Sequence, residues 1–218
     1  MKLPVFSRPV TRRLESCLGL TDINRIVNFV LGPQGTNMEQ ACQAWIRENG
    51  VGTKAEIILC PTPEEALAQA RLVDDKGVVP LFWTCAVFYA LNQLFFRNPD
   101  TYPFTFTFNY PLDNMQLCCR PEVREQFHTS KLFDWRVASH PSPEPLIDNA
   151  LRGVVAVTKA YSNADAAKRC TDGEVEACIT TAQAATIHGL TMIHEFGSPV
   201  MVFFAGTTEH GMRVLLGQ

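Results

Sequence analysis

Short apolar runs alternate with longer segments of helical periodicity along almost the whole chain. Runs bounded by turn residues predict strands, and the periodic segments between them predict helices. The predicted strands are 26–31, 55–60, 77–81, 104–110, 115–120, 136–140, 154–159, 175–180, 190–196 and 200–205. The predicted helices are 36–49, 63–73, 84–96, 144–151, 163–171 and 182–188. This alternation indicates an α/β protein with one or two mainly parallel sheets.

The segment 104–120 interrupts the alternation, because two extended runs there flank Pro111-Leu112-Asp113-Asn114 with no helix between them. A long extended connection inside an alternating α/β chain indicates passage from one lobe to another. We therefore expect an N-terminal extension at 1–24, a first lobe at 25–110 completed by 192–218, and a second lobe at 111–191. Two crossings between lobes would leave a cleft for a ligand.

Two strand–turn–helix corners stand out as candidate anion sites. The first is Gly32-Pro33-Gln34-Gly35-Thr36, and the second is the strand 136–140 followed by Pro141-Ser142-Pro143 and a helix from Glu144. Unpaired backbone N–H groups and the positive end of a helix dipole favour an anion at such a corner. Two such corners suit a small ligand with two acidic groups. Alternatively, Thr36 is only an N-cap, and Ser139-His140-Pro141 only the end of a strand.

Composition narrows the possible partners. The chain has 218 residues, of which 46% are apolar and 19% charged, with a net charge of −3. This balance predicts a globular protein with a substantial core and no general attraction to nucleic acid or anionic membranes. No apolar run approaches the ~20 residues of a membrane span, and the N-terminus does not resemble a signal peptide, so we expect a cytoplasmic protein.

The cysteines and histidines do not indicate a metal site. None of the eight cysteines forms a C-x-x-C pair, and the five histidines are scattered along the chain. We therefore expect buried thiols, with no metal and no cofactor.

Five motifs in order resemble the catalytic domain of prephenate dehydratases. Gly32–Thr36 resembles that family's Gly-Pro-x-Gly-Thr, Val79-Pro80 its Val-Pro-Ile-Glu-Asn-Ser, and Ser139-His140-Pro141 its Ser-His-Pro. The segment 163–167 is similar to a family helix, and the run 177–190 is similar to a further family segment. The resemblance spans about 26–206 and implies two α/β lobes with an interlobe cleft, similar to a type II periplasmic binding protein. No regulatory ACT domain is expected.

The departures from this family concern its chemistry. The family's Asn-x-Thr-Arg-Phe motif, which serves the leaving hydroxyl and grips substrate, becomes 199–203 here, with Met201 and Val202 at the Thr-Arg positions. Its Ile-Glu-Asn-Ser becomes Leu81-Phe82-Trp83-Thr84. Methionine and valine can neither protonate a hydroxyl nor bind a carboxylate. An aromatising dehydratase is therefore not expected.

The chain more closely resembles the non-aromatising prephenate decarboxylases of the bacilysin type, which act in antibiotic and other secondary-metabolite pathways. The shared features are the Gly-Pro-x-Gly-Thr corner, the segment 139–143, Arg120-Pro121, and the missing Thr-Arg pair. The resemblance implies a carbon–carbon lyase that removes CO₂ from prephenate and protonates the ring, giving a dihydro-4-hydroxyphenylpyruvate. The expected partner is this small molecule, and a homodimer stays open.

The candidate site residues follow from these comparisons. The proton donor is His140 or a water held by Thr180 or Thr181. The candidate substrate contacts are Gly35, Thr36, Asn37, Phe82, Trp83, Thr84, Arg120, Ser139, Ser142, Met201 and Val202. Phe82 and Trp83 are alternatively core residues, and Arg120 an ordinary surface charge. Two rival hypotheses remain: a catalytically inactive small-anion-binding or sensor protein, and a residual prephenate dehydratase.

Overall fold

The computed structural model describes residues 14–19, 21–129, 135–150 and 156–218. Most of the predicted N-terminal extension 1–24 lies outside the described residues, as do residues 151 and 154–155 of a predicted helix and strand. The chain divides into two compact units. Unit 1 comprises the described residues up to Tyr110 together with Met201–Gln218, and unit 2 is Pro111–Val200.

Strands and helices alternate through most of both units. The strands are β1 (Arg25–Leu31), β2 (Ala55–Cys60), β3 (Val78–Cys85), β4 (Tyr102–Pro111), β5 (Met115–Cys119), β6 (Arg136–Ser139), β7 (Ala156–Lys159), β8 (Ala177–Thr181), β9 (Thr191–Gly197) and β10 (Val200–Thr207). The helices are α1 (Asn37–Glu48), α2 (Pro63–Arg71), α3 (Leu91–Phe96), α4 (Leu146–Ala150), α5 (Asn163–Thr171), α6 (Ala182–Ile187) and α7 (Glu209–Leu216). Short 3₁₀ helices cover Leu14–Gly19 and Pro121–Thr129.

The sheet of unit 1 has the strand order β2-β1-β3-β10-β4. β1 lies parallel to β2 and β3, whereas β10 runs antiparallel to β3. One face is covered by α2, whose Ala66, Leu67 and Ala70 pack with Phe29 and Phe82. Because β3 is central and paired on both sides, its residues form an almost continuous buried apolar run.

The sheet of unit 2 has the order β7-β6-β8-β5-β9. Its β6, β7 and β8 are parallel, while β5 runs antiparallel to both β8 and β9. Its α5 packs on β8, with Ala166, Ala167 and Cys170 in one buried cluster with Cys178. Each sheet therefore combines three parallel strands with antiparallel neighbours.

Three sequence predictions need correction. The predicted strand 77–81 continues to Cys85, and the predicted helix 84–96 begins only at Leu91, because pairing with β10 extends β3. The second lobe was predicted to end at 191, but β9 pairs with β5, so the division falls after Val200. Helix α7 was missed, although Thr208 caps it and Gly217, at a φ of 69°, ends it.

Among the described residues, no helix is long and apolar enough to cross a membrane.

Candidate functional site

The carboxyl ends of β1, β2 and β3 share one edge of the unit 1 sheet, because these strands are parallel. β10 is antiparallel to β3, so it begins at this same edge, where the Ala86 N–H donates to the Val202 carbonyl at 2.9 Å. In open α/β sheets, ligands bind outside the carboxyl ends of the strands. The predicted residues gathered here are Gly35, Thr36, Asn37, Thr84, Met201 and Val202.

The first corner folds as its sequence predicts. Thr36 is the N-cap of α1, and its hydroxyl accepts the Glu39 N–H at 3.3 Å while donating to the Leu31 carbonyl at 2.8 Å. The Gly32-Pro33 peptide is cis, and Gly35 has a φ of 85°, a conformation that favours glycine. The Thr36 hydroxyl therefore joins the end of β1 to the start of α1.

A carboxylate of the chain itself occupies this corner. The Glu39 side chain is buried, and its Oε2 accepts the Gly35 N–H at 2.6 Å while its Oε1 accepts Gln43 Nε2 at 3.1 Å. The Gly35 N–H was predicted to bind a ligand carboxylate. Because Glu39 already satisfies this donor, an external anion would have to displace a buried side chain.

The same pair of capping interactions recurs at the start of α5, and the hydroxyl cap alone recurs at the start of α2. In α5, Ser162 accepts the Asp165 N–H at 3.0 Å, and Asp165 accepts the Tyr161 N–H at 2.9 Å. In α2, Thr62 accepts the Glu65 N–H at 3.1 Å. All three helices have Ser or Thr three residues before Glu or Asp, a capping-box pattern that the sequence analysis overlooked.

Phe82 and Trp83 belong to the core of unit 1 and do not line one side of a ligand site together. They are consecutive residues of β3, so their side chains point to opposite faces of the sheet. Phe82 packs against Gly206, where an added Cβ would come within 2.4 Å of its ring. Trp83 donates from Nε1 to Asn28 Oδ1 at 2.9 Å and lies 5.6 Å from the Trp45 ring centroid. These two candidate substrate contacts therefore follow the alternative that the sequence left open, that of core residues.

The remaining residues of this edge differ in exposure. Met201 is half-buried and Val202 is 36% exposed, so the first residues of β10 present apolar side chains at the edge. Thr84 is fully buried, and its hydroxyl has no hydrogen-bond partner among the described residues. Unsatisfied buried polar groups are uncommon in folded proteins.

A second edge, in unit 2, gathers the other predicted residues. The carboxyl ends of the parallel strands β6, β7 and β8 lie side by side. The predicted residues at this edge are Ser139, His140, Ser142, Thr180 and Thr181. Asn163, the first residue of α5, adds a buried Oδ1 with no hydrogen-bond partner among the described residues. The sequence analysis placed Asn163 in a matched helix but assigned it no role.

The environment of His140 does not favour an acid. The Ser142 N–H donates to His140 Nδ1 at 3.2 Å, so the proton of the neutral ring is on Nε2. Burial lowers the pKa of His140 below its usual value. A histidine that is neutral and accepts a backbone N–H is poorly prepared to protonate a ring carbon, which argues against the predicted role. Ser139, fully buried, donates its hydroxyl to the His140 carbonyl at 2.9 Å.

The two threonines at the end of β8 form internal hydrogen bonds. The Thr180 hydroxyl is buried and donates to the Asn163 carbonyl at 2.8 Å. Thr181 caps α6, accepting the Ala184 N–H at 3.3 Å. Asp113 accepts the preceding N–H of this helix, from Gln183, at 2.8 Å. Each hydroxyl therefore helps to attach a helix to β8. Neither is reserved for the water that the sequence analysis expected it to hold.

Arg120 stabilises unit 2 from within. Its Nη1 donates to the carbonyls of Cys170 and of Val175, the latter at 2.8 Å, and its Nε donates to Glu122 Oε1 at 3.1 Å. Its side chain is only 19% exposed. The arginine predicted to bind a substrate carboxylate is thus engaged with the turn between α5 and β8, and it is not an ordinary surface charge.

In the part of the chain that the structure describes, no three His, Cys, Asp or Glu side chains are placed to hold a metal ion. All eight cysteines are thiols.

No protein-family model matches this sequence. No curated protein matches it significantly.

Solved structures do match. The periplasmic VFT2 domain of Bordetella pertussis BvgS is 16% identical, with 98% of this chain and 92% of that domain covered and a TM-score of 0.54. R. palustris Rpa4515, solved with adipate, is 9% identical, with 88% and 80% covered and a TM-score of 0.57. A prephenate dehydratase from Staphylococcus aureus is 13% identical, with 84% and 66% covered and a TM-score of 0.47. The chain therefore has the two-lobed α/β fold of periplasmic-binding-protein-like structures, as predicted from the sequence.

Proposed function

We propose that the protein is a prephenate decarboxylase that leaves the ring non-aromatic. The observation on which this rests is the position of Met201 and Val202 at the same edge of the unit 1 sheet as the Gly35-Thr36 corner, with the end of β3 between them. In the resembling dehydratases, these two positions carry the threonine and arginine that assist departure of the hydroxyl. Here both side chains are apolar, so neither can act as an acid or hold an anion.

The reaction requires control over one electron pair. When the bond to the ring carboxylate breaks, CO₂ leaves and its electron pair enters the ring. If this pair expels the hydroxyl, the ring becomes aromatic and phenylpyruvate forms. If it shifts through one alkene and a carbon takes a proton from solvent, the hydroxyl stays and a dihydro-4-hydroxyphenylpyruvate forms. The aromatic product is the more stable one. The enzyme must therefore make the barrier to protonation of a ring carbon lower than the barrier to loss of the hydroxyl.

An edge without an acid raises the barrier to aromatisation. Hydroxide is a poor leaving group unless it is protonated as it departs, and general acid catalysis contributes about 10²–10⁴-fold where it operates. Met201 and Val202 withhold this assistance from the hydroxyl. Thr84 supplies a candidate neutral hydrogen bond to the substrate, because its buried hydroxyl has no partner among the described residues. The product would serve an antibiotic or non-proteinogenic amino-acid pathway.

Prephenate labelled with ¹³C in the ring carboxylate tests the proposal. The purified protein is incubated with it at mildly alkaline pH, and labelled CO₂ and the organic product are followed by mass spectrometry. We expect labelled CO₂ together with a product that retains the hydroxyl oxygen. A reaction without protein gives the background of spontaneous aromatisation. Phenylpyruvate formed above this background would instead identify a dehydratase.

The second candidate is a small-acid-binding protein without turnover. It is favoured by the apolar side chains of Met201 and Val202 at the sheet edge, because neither can supply an acid for turnover. One structural neighbour was solved with adipate, a small dicarboxylate. Calorimetry separates the candidates: heat of binding for prephenate or adipate, with no labelled CO₂ from prephenate, would identify a binding protein.

A further inference from the structure

Two buried side-chain atoms lack a hydrogen-bond partner among the described residues, and each lies at the carboxyl edge of its own sheet. They are Thr84 Oγ1 and Asn163 Oδ1. Thr84 is near the carboxyl end of β3 in unit 1, and Asn163 begins α5, beside the carboxyl end of β8 in unit 2. Ligands of open α/β sheets bind at such edges. Because unsatisfied buried polar atoms are uncommon, their position indicates groups that a ligand satisfies.

The backbone of Asn163 is fixed in place by the chain itself. The fully buried Thr180 hydroxyl donates to the Asn163 carbonyl at 2.8 Å. The start of α5 is already capped, since Ser162 accepts the Asp165 N–H at 3.0 Å and Asp165 accepts the Tyr161 N–H at 2.9 Å. The helix end therefore requires no ligand, and the unsatisfied group is the side chain of Asn163.

The side-chain amide of Asn163 makes one weak contact. Within the described part of the chain, its Nδ2 donates to the Met115 sulfur at 4.0 Å, and its Oδ1 has no partner. A thioether sulfur is a weak acceptor and cannot donate, so the nitrogen faces Met115 and the oxygen is the atom left over. The group that would satisfy this oxygen is a hydrogen-bond donor.

Asn163 can present this oxygen to a ligand without unfolding its surroundings. The residue as a whole is half-buried, although its Oδ1 is covered. The χ2 angle of asparagine has a broad distribution, and rotation about it sacrifices no more than the weak Met115 contact. A ligand carboxylate has no proton to donate, whereas a ligand hydroxyl has one. The amide oxygen therefore selects for a hydroxyl.

We propose that Asn163 Oδ1 binds the hydroxyl group of a small hydroxylated carboxylic acid. This ligand rests on the proposed function, under which the group is the ring hydroxyl of prephenate. An amide oxygen accepts the hydroxyl hydrogen and has no proton to give, so it holds the alcohol without assisting its departure. A protein group that hydrogen-bonds a substrate hydroxyl also discriminates against the analogue that lacks it.

Two unreactive probes test this assignment. One is the tetrahydro derivative of prephenate, whose saturated ring cannot accept the electron pair released by decarboxylation, and the other is its 4-deoxy counterpart. The probes differ only in the hydroxyl, and calorimetry of the full chain measures their dissociation constants. We expect the wild type to bind the hydroxylated probe at least about tenfold more tightly. Equal affinities, or no binding of either probe, would overturn the proposal.

Asn163→Leu separates ligand binding from a structural role. Leucine has a similar size without polar atoms, so the preference for the hydroxyl should disappear. The urea midpoint should stay unchanged or rise, because the unsatisfied acceptor is gone. Ser162→Ala is the matched control, since loss of the α5 cap should lower the midpoint and leave the preference intact. A lower midpoint in Asn163→Leu with the preference retained would show a purely structural role.

Labelled prephenate keeps this result separate from the proposed function. If no labelled CO₂ forms while the wild type prefers the hydroxylated probe, the decarboxylase fails and the Asn163 site stands. If labelled CO₂ forms and Asn163→Leu keeps the preference, the decarboxylase stands and the Asn163 site is wrong. Should Asn163→Leu not fold, the comparison of the two probes on the wild type still decides.

Discussion

The Glu39 carboxylate accepts the backbone N–H of Gly35 at 2.6 Å, so a residue of α1 neutralises the N-terminal corner of its own helix. Asp165 holds the Tyr161 N–H in the same way at the start of α5. Negative charge near a helix N-terminus is favourable whether it comes from a ligand or from the chain. At the starts of α1 and α5 the chain has supplied it, so a bound substrate would have to obtain its affinity from groups other than these two helix ends.

Replacing Glu39 should therefore affect stability. We expect Glu39→Ala to lower the free energy of unfolding by about 1–2 kcal/mol, because the Gly35 N–H and the Gln43 side chain lose the acceptor that the buried Glu39 carboxylate provides. Glu39→Gln should cost less, since an amide oxygen can still accept this bond. Urea unfolding measures both changes. Glu65→Ala is the matched control: Glu65 holds the same position in α2, where its carboxylate accepts the Gln69 side chain at 2.6 Å and, among the described residues, no backbone N–H. Equal losses in Glu39→Ala and Glu65→Ala would contradict the prediction.

The parts of the fold that could be predicted are those whose boundaries are marked by neighbouring residues in the sequence. β2 and α5 occupy the predicted ranges 55–60 and 163–171, and β1 begins one residue before its predicted start. Each is bounded by turn residues, and α5 has a Ser cap. The capping boxes of α1 and α5 were equally local, so Glu39 and Asp165 were visible in the sequence but were not used.

Other parts of the site depend on contacts that the sequence does not show. A strand buried on both faces reads as continuous apolar residues, so nothing local reveals that Phe82 and Trp83 point to opposite sides of β3. Arg120 bonds to carbonyls about fifty residues further along the chain. Its partners therefore follow only from the tertiary packing of α5 against β8.

Arg120 provides a second test, since structural and ligand-binding roles predict different outcomes. We expect Arg120→Lys to lower the free energy of unfolding by about 1.5–3 kcal/mol, because one ammonium does not replace a guanidinium that contacts two carbonyls. The dissociation constant for prephenate should stay unchanged. Arg136→Lys is the control, because Arg136 pairs with Glu176 at the surface and exposed pairs contribute about 0–1 kcal/mol. Weakened prephenate binding with unchanged stability would restore the ligand-binding role.

The burial of His140 predicts a dependence of stability on pH. Its pKa is lower in the folded than in the unfolded protein, so the unfolded state binds the proton more readily. The stabilising contribution is complete above the unfolded value of about 6.5 and declines as pH falls through the lower folded value. His140→Asn keeps an acceptor for the Ser142 N–H but does not titrate. We expect the wild type to lose more unfolding free energy than this variant between pH 8 and pH 5, measured by urea unfolding.

The same variant tests the proposed chemistry. If His140 is not the proton donor, His140→Asn should decarboxylate prephenate within a few-fold of the wild-type rate, without a new dependence on pH. A loss approaching the ~10²–10⁴-fold expected for removal of a general acid would return His140 to that role. Thermal unfolding of the variant, recorded in parallel, shows whether a lost rate reflects a lost fold.

Restoring the hydroxyl–guanidinium pair should redirect the reaction. The double variant Met201→Thr, Val202→Arg places at the start of β10 the two side chains that the resembling dehydratases carry. Both positions are at least partly exposed, so the edge can accept polar groups at little cost to folding. With an acid near the ring hydroxyl, we expect the share of phenylpyruvate among the products to rise at least about tenfold.

Val200→Arg, one residue before the pair at an exposed position, adds a cation without the hydroxyl and should leave the product ratio unchanged. Chromatography of the products from labelled prephenate gives this ratio directly. A double variant that still turns over prephenate with the wild-type ratio would show that these residues do not control the fate of the hydroxyl.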